Sequence, residues 1–162
     1  MDYIFAPWRI RYILAPKYKG CIFCDFPAQN DDEKNLILYR SQKCFIIMNK
    51  YPYNPGHLMV APYRHVAEIE KLTEEEEKDL FHCLKVAIAA IKSTLKPHGF
   101  NVGVNIGRVA GAGIEDHVHM HVVPRWNGDT NFMPVLADVK VIPEALEETY
   151  KKLKKAIETL KY

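Results

Sequence analysis

The 162-residue sequence lacks any apolar run approaching the roughly 20 residues that a membrane-spanning helix needs. Its start, Met1-Asp2-Tyr3, does not begin the basic-then-apolar pattern of a secretory signal. It also lacks an excess of either charge, with 22 Lys and Arg against 20 Asp and Glu, so no strong overall field attracts nucleic acid or a membrane surface. We therefore expect a cytoplasmic protein without a nucleic-acid or membrane partner, which captures any anionic ligand locally.

Cysteine is also scarce. The four cysteines are too few for a disulfide framework. A length of 162 residues suits one compact domain, and we expect a single domain over residues 1–162. Cys44 and Cys83 fall in a predicted strand and a predicted helix and are interpreted as core residues. Cys21 and Cys24 form a Cys-x-x-Cys pair, which is either a redox pair or half of a zinc site. A thioredoxin-like pair precedes a helix in a βαβ unit, whereas this pair is predicted to precede a polar loop in an irregular arm, residues 1–34.

Hydrophobic periodicity predicts strands at residues 36–39, 44–48, 58–61, 100–106 and 117–123. Thr73 and Glu76 form a capping box that begins a long amphipathic helix. This helix is predicted to end near Lys96, before Pro97, with Gly99 as a left-handed cap. A final helix is predicted over residues 143–162. This order of elements favours an α+β fold over a parallel, doubly wound sheet.

Three histidines alternate in the predicted strand His117-Val118-His119-Met120-His121. Successive side chains of a strand point to opposite faces, so the three imidazoles share one face. Neighbouring rings make it costly for any one of them to become cationic, and a neutral imidazole is a good nucleophile for phosphorus. The alternatives are a solvated strand face or a site in which all three histidines bind a metal.

The run from His117 to Val123 resembles the His-φ-His-φ-His-φ-φ signature of the histidine-triad (HIT) superfamily of nucleotide hydrolases and transferases. A second segment, from Phe45 to Pro62, is similar to the family's strand–loop–strand, with its Asn and its Gly-His pair. The resemblance implies a five-stranded antiparallel sheet with two main helices, and two chains related by a two-fold axis in a homodimer.

The resemblance also implies roles for individual residues. The middle histidine, His119, would form a covalent nucleotidyl intermediate, and His121 would assist departure of the leaving group. His57 resembles the family's fourth histidine, which orients the others; its alternative is a structural histidine before a strand. Asn49 would lie near the ribose and phosphate, and Asn105 would contact phosphate oxygens.

One segment departs from the family pattern. Where many members carry Gly-Gln-Ser or Gly-Gln-Thr before the triad, this chain has Gly111-Ala-Gly113-Ile-Glu-Asp116. Backbone N–H groups around Gly111 and Gly113 are therefore expected to bind phosphate in place of side chains. This segment, with the residues after the triad, is similar to the bacterial branch that includes diadenosine tetraphosphate phosphorylases.

The resemblance implies two further metal ligands beside the Cys-x-x-Cys pair. His65 resembles the histidine that accompanies such a pair in zinc-bearing HIT proteins and in galactose-1-phosphate uridylyltransferases, where the first histidine of the active-site run completes the site. By that match Cys21, Cys24, His65 and His117 would hold a structural zinc ion, and no organic cofactor is expected. The alternative is two ordinary thiols.

The function that the resemblance implies is hydrolysis at the α-phosphate of an adenylyl compound, such as a diadenosine polyphosphate or an AMP phosphoramidate. The same intermediate can instead pass its nucleotidyl group to inorganic phosphate. A nucleotide-binding protein with little turnover is a further alternative, as is a metal-binding regulator built around Cys21 and Cys24.

Overall fold

The computed structural model describes residues 18–129 and 144–160. The elements are, in chain order, α1 (Ile22–Ala28), β1 (Ile37–Arg40), β2 (Cys44–Met48), β3 (Leu58–Pro62), α2 (Glu74–Leu95), β4 (Gly99–Val104), β5 (Met120–Arg125) and α3 (Leu146–Thr159). The strands form a five-stranded sheet in the order β1-β2-β3-β5-β4, and every neighbouring pair is antiparallel. The predicted α+β fold is confirmed, and α1 adds a short helix to the two main ones. No helix in the described ranges is long and apolar enough to cross a membrane.

Apolar side chains cover both faces of the sheet. Strand alternation sends Ile46 and Met48 to one face and Phe45 and Ile47 to the other. The first face packs against α2 and α3 and forms the main core, which includes Cys44 and Cys83 as predicted. The second face packs against α1 through Phe23. Because both faces are covered, every residue of β2 and β3 is buried.

Helix α2 begins at the predicted capping box. The Thr73 hydroxyl accepts the Glu76 N–H at 3.3 Å, and the Glu76 carboxylate accepts the Thr73 N–H at 2.9 Å. The left-handed cap is Lys96, with φ of 47°, so the prediction of Gly99 in that role is wrong. Gly99 instead begins β4, where its backbone is needed for pairing with β5.

The segment after Cys21 also differs from the prediction. It forms helix α1 where a polar loop was expected, so a following loop cannot be used to exclude a redox pair. A thioredoxin-like redox pair lies in a βαβ unit, and the described residues contain no such unit, because their sheet is antiparallel. Residues 1–17 of the predicted arm lie outside the described residues. The final helix agrees over residues 146–159. Residues 144, 145 and 160 of the prediction are not helical, and residues 143, 161 and 162 lie outside the described residues.

The histidine run is only partly a strand. Val118 donates its N–H to the Val66 carbonyl at 2.7 Å, a hydrogen bond outside the sheet. Strand β5 therefore begins at Met120 rather than at His117. The predicted alternation still holds, because Val118 and Met120 enter the main core while His117 and His119 contact Phe23 on the other face.

Candidate active site

His119 is a buried imidazole on the α1 face of the sheet, 5% exposed. Its Nδ1 lies 2.8 Å from the His117 carbonyl oxygen. A carbonyl only accepts hydrogen bonds, so Nδ1 carries the proton and Nε2 keeps its lone pair. Burial lowers the pKa of His119 below its ordinary value, and the ring is neutral at pH 7. His119 therefore offers the unprotonated nitrogen that a nucleophile needs.

His57 and His121 form a second, hydrogen-bonded pair of rings. The Tyr53 N–H donates to Nδ1 of His57 at 3.1 Å, so the proton of His57 is on Nε2, which donates to Nδ1 of His121 at 2.9 Å. The proton of His121 is therefore on Nε2. Burial and neighbouring histidines lower the pKa of His57 to about 3 and that of His121 to about 4. Both rings are neutral, and His121 Nε2–H is a hydrogen-bond donor.

Local backbone geometry brings His57 to this position. Gly56, immediately before it, has φ of +76°, and a Cβ there would lie 2.5 Å from Leu95 Cδ1. Only glycine fits this turn without displacing Leu95. The β3–β5 register then pairs Met59 with His121, which sets His57 beside the triad as predicted.

Two aromatic side chains lie against these histidines, and sequence reasoning included neither of them in the site. The Phe23 ring centroid lies 4.7 Å from that of His119 and 5.2 Å from that of His117. The Tyr53 ring lies 4.6 Å from His57 and 6.1 Å from His121. No motif marks either residue, because their contacts come from α1 and from the turn before His57.

The two predicted asparagines lie at different loops. Asn49 follows β2, where its N–H donates to the His57 carbonyl at 3.0 Å and its Oδ1 accepts the Tyr51 N–H at 2.9 Å. Asn105 follows β4, and its amide donates to the Gly111 carbonyl at 3.4 Å. Asn49 is thus tied to the His57 segment, and Asn105 to the loop before the triad.

In the glycine loop, two of the backbone N–H groups predicted to bind phosphate donate hydrogen bonds within the loop. The Gly111 N–H donates to the Arg108 carbonyl at 3.0 Å, and the Ala112 N–H donates to the Gly107 carbonyl at 3.3 Å. These two N–H groups therefore have partners within the loop, and phosphate binding by residues 111–113 stays a prediction. Gly113 has open space where a Cβ would stand.

Cys21, Cys24, His65 and His117 meet in one cluster, with their ligand atoms all within 4.8 Å of one another. Nδ1 of His117 lies 3.3 Å from Cys21 Sγ, and its Nε2 lies 2.8 Å from the Pro62 carbonyl oxygen. Nε2 therefore carries the proton, and the Nδ1 lone pair faces the thiols. Two thiols and two imidazoles are the donor set of a structural zinc site, and a ligand histidine commonly donates its second N–H to a carbonyl. The residues present fit such an ion.

A cleft of about 440 Å³ opens beside His121 over β4 and β5. Arg125 forms a two-pronged ion pair with Asp129 at 2.6 and 2.8 Å, and its Nη1 donates to Asn101 Oδ1 at 2.6 Å. Asn54, which is buried, donates to Asp129 and to the Pro124 carbonyl, each at 2.8 Å. Sequence reasoning missed this network, since Asn54 and Asn101 are far in the chain from Arg125 and Asp129.

Comparison with known proteins gives consistent matches. The HIT domain family matches residues 30–128. AP-4-A phosphorylase of Mycobacterium tuberculosis is 43% identical over 90% of this chain and 79% of its own length. A histidine triad nucleotide-binding protein of Sulfolobus tokodaii superposes with a TM-score of 0.69 at 29% identity, covering 85% of this chain and 92% of its own. A zinc-bound histidine triad family protein of Mycobacterium smegmatis gives a TM-score of 0.68 at 25% identity, covering 86% and 94%.

Proposed function

This chain belongs to the HIT domain family and is an enzyme of that family, and from this premise we propose that it transfers the adenylyl group of a diadenosine polyphosphate to inorganic phosphate through His119. The observation that carries the proposal is the hydrogen bond from His119 Nδ1 to the His117 carbonyl, because it leaves Nε2 unprotonated on a buried, neutral ring.

The reaction has two displacements at the α-phosphorus. In the first, the Nε2 lone pair of His119 forms the N–P bond, and the P–O bond to the leaving phosphate chain breaks with its electron pair on oxygen. The N–H of His121 donates a hydrogen bond to that oxygen. In the second, an oxygen of inorganic phosphate bonds to phosphorus, and the N–P electron pair returns to Nε2. From diadenosine tetraphosphate the products are ATP and ADP.

The neutral state of His121 bears on the choice of substrate. A phosphate chain leaves as a stable anion and needs only a hydrogen bond, whereas an amine leaving group needs a whole proton. Neutral His121 would become an imidazolate if it gave up its Nε2 proton. The pair formed with His57 therefore favours a diadenosine polyphosphate over an AMP phosphoramidate as the substrate.

Transfer to phosphate is supported by the likeness to AP-4-A phosphorylase. Transfer to water, which the motif resemblance alone favours, is the second candidate. Product analysis separates the two: with diadenosine tetraphosphate, phosphate as acceptor gives ADP and ATP, and water gives AMP and ATP. An ADP yield that does not depend on added phosphate would exclude phosphorolysis.

The covalent step is tested by mass spectrometry of acid-labile adducts after brief exposure to the substrate. An AMP-bearing peptide containing residues 117–121 is expected from the unaltered chain and not from His119→Gly. His82→Ala is the matched control, because His82 lies on α2 and contacts Tyr39 rather than the triad. Adduct formation in His119→Gly would overturn the assignment of the nucleophile.

The Cys and His cluster, in the same proposal, holds a structural zinc ion. With four protein ligands, Cys21, Cys24, His65 and His117, the ion would have no open position for substrate, and it would supply folding free energy and tie His117 in place. His117 would then take no part in proton transfer. The predicted cytoplasmic location, which is reducing, suits two free thiols as ligands.

The proposal also includes the homodimer. Strand β4 is the outermost strand beyond β5, and Asn101, Val102 and Gly103 on it are exposed. An open edge of this kind can pair with its own copy across a two-fold axis. Val102→Lys is expected to shift the mass in sedimentation equilibrium toward the monomer, whereas Tyr18→Ser, at an exposed residue next to α1, should leave it unchanged. A concentration-independent monomer in the unaltered chain would refute the dimer.

A further inference from the structure

The cleft beside His121 lies on one particular side of the reacting atoms. Strand β5 lines it with His121, Val123 and Arg125, so it extends along the strand from His121 in the direction away from His119. The β4–β5 register pairs Gly103 with His121 and Asn101 with Val123, which puts Asn101 on the same face of the sheet. The cleft is therefore continuous with the triad and adjoins its leaving-group histidine.

The geometry of displacement at phosphorus indicates which part of the substrate lies in the cleft. At phosphorus the attacking and leaving atoms lie roughly in line. If Nε2 of His119 attacks, the leaving oxygen departs on the opposite side of the phosphorus, near the N–H of His121. Whatever is attached to that oxygen must then lie beyond His121, where the cleft opens.

The lining of the cleft suits the sugar and phosphates of a nucleotide. Arg125 donates to Asn101 Oδ1, which leaves the amide NH2 of Asn101 as a donor for phosphate oxygens or hydroxyl groups. The Arg125 charge is shared with Asp129 in an ion pair, so the guanidinium orients Asn101 rather than acting as an isolated cation. A volume of about 440 Å³ is within the range of small-ligand sites.

Tyr53 adds an aromatic wall. Its side chain is 52% exposed, and its ring lies 6.1 Å from that of His121 at an angle of 25°. An exposed aromatic face of this kind can stack on a base. The Tyr53 ring, the Asn101 amide and the N–H of His121 thus line one cleft.

We propose that this cleft binds the departing nucleoside polyphosphate, with Tyr53 and Asn101 determining the enzyme's preference for a nucleotide leaving group. The inference rests on the proposed function for its chemistry. It predicts that the second nucleotide half contributes to both binding and turnover, and that its contribution is lost when the cleft is altered.

The kinetic test compares two substrates with the same adenylyl half. One is diadenosine tetraphosphate; the other is adenosine 5′-phosphorofluoridate, whose leaving group is a single fluoride ion. Tyr53→Leu and Asn101→Ala are each expected to lower the ratio of their kcat/KM values about tenfold, since each removes one contact to the nucleotide. Tyr53→Phe keeps the ring and should keep the ratio. An equal loss on both substrates would overturn the inference.

A binding test keeps this inference separate from the proposed function. His119→Asn cannot form the adduct, and calorimetry on it gives affinities for AMP and for diadenosine tetraphosphate. The tetraphosphate should bind at least tenfold more tightly, and Tyr53→Leu should remove most of that gain. A gain without turnover by the unaltered chain would sink the proposed function and leave the cleft assignment standing. Turnover without a gain would overturn the cleft assignment alone.

Discussion

Nε2 of His57 donates its hydrogen to Nδ1 of His121 across 2.9 Å, so one buried histidine decides which nitrogen of the other carries a proton. The direction of this bond follows from the Tyr53 N–H, which occupies Nδ1 of His57. The main-chain N–H of Tyr53 thus determines, through the His57 ring, that the proton of His121 is on Nε2.

Replacing His57 tests its positioning role. Leucine cannot donate to His121 Nδ1, so His57→Leu should lower kcat by about 10²-fold, within the range for loss of one oriented hydrogen-bond donor to a developing oxyanion. His57→Gln retains an amide donor and should lose much less. The loss should also grow with the basicity of the leaving group, measured across a series of adenylyl esters. Equal kcat values for both variants, with thermal melts confirming the fold, would contradict this role.

The lowered histidine pKa values predict how the rate of the enzyme changes on the acidic side of its pH profile. Since the pKa of His121 is about 4 and that of His57 about 3, both stay neutral well below the ordinary histidine value of about 6.5. Protonation of these two rings should therefore cause no loss of kcat between pH 7 and pH 5.5. An NMR titration of the His57 and His121 rings checks this, and a midpoint near pH 6.5 for either ring would contradict the buried neutral state.

The same shifts make stability depend on pH. The unfolded chain takes up protons on His57 and His121 below about pH 6.5, whereas the folded chain resists until about pH 4 and below. The free energy of unfolding should thus fall as the pH drops from 6.5 toward 4, and His57→Leu should reduce that slope. Urea titrations at several pH values measure it, and an unchanged slope in the variant would count against the buried neutral state.

The sequence predicted those features that depend on local pattern. The capping box of Thr73 and Glu76, the alternation of Val118 and Met120 into the core, and the approach of His57 to His121 all follow from periodicity or family likeness. The two cysteines and two histidines proposed to bind zinc also lie together, as the family match implied. In each case, short-range spacing or a motif carries the information.

What the sequence did not predict depends on tertiary contacts. Helix α1 forms against the sheet through Phe23, in a segment whose prolines and charges are typical of a loop. The Gly111 amide bonds within its own loop, a choice that composition does not reveal. The Arg125, Asp129 and Asn101 network joins residues from two strands and a turn, so only the β4–β5 register brings it together.

Glu76 is expected to stabilise the region that carries His65. Its carboxylate accepts from Arg64 at 2.7 and 2.8 Å and from the Thr73 N–H, which lowers its pKa to about 2. Glu76→Gln should cost up to about 1 kcal/mol at pH 7, mostly from the lost charge beside the partly exposed Arg64, because the glutamine amide oxygen can still accept the Thr73 N–H. The cost should shrink as the pH falls from 4.5 toward 2, where the carboxylate is protonated. Urea unfolding measures both effects.

Glu74→Gln is the matched control for this prediction, since Glu74 lies in the same first turn of α2 but is exposed. It removes one negative charge from the same helix end, so any general effect on the helix dipole appears in both variants. An equal loss of stability in the two variants would show that the Glu76 contacts contribute nothing of their own.

Removal of the metal is expected to affect both stability and the nucleophile. Cys24→Ser should lose zinc, measured as metal per chain. Its Tm should fall by about 10 °C, the change expected on loss of a ligand whose Kd lies about 1,000-fold below its concentration. The position of His119 should also change, because the His117 side chain is one of the four proposed ligands while its carbonyl accepts the His119 hydrogen. Cys83→Ala, in the main core, should lower Tm without loss of zinc. Complete zinc loss from Cys24→Ser at an unchanged Tm and unchanged kcat would mean that the ion neither supports the fold nor holds His119, since both effects pass through the same His117 residue.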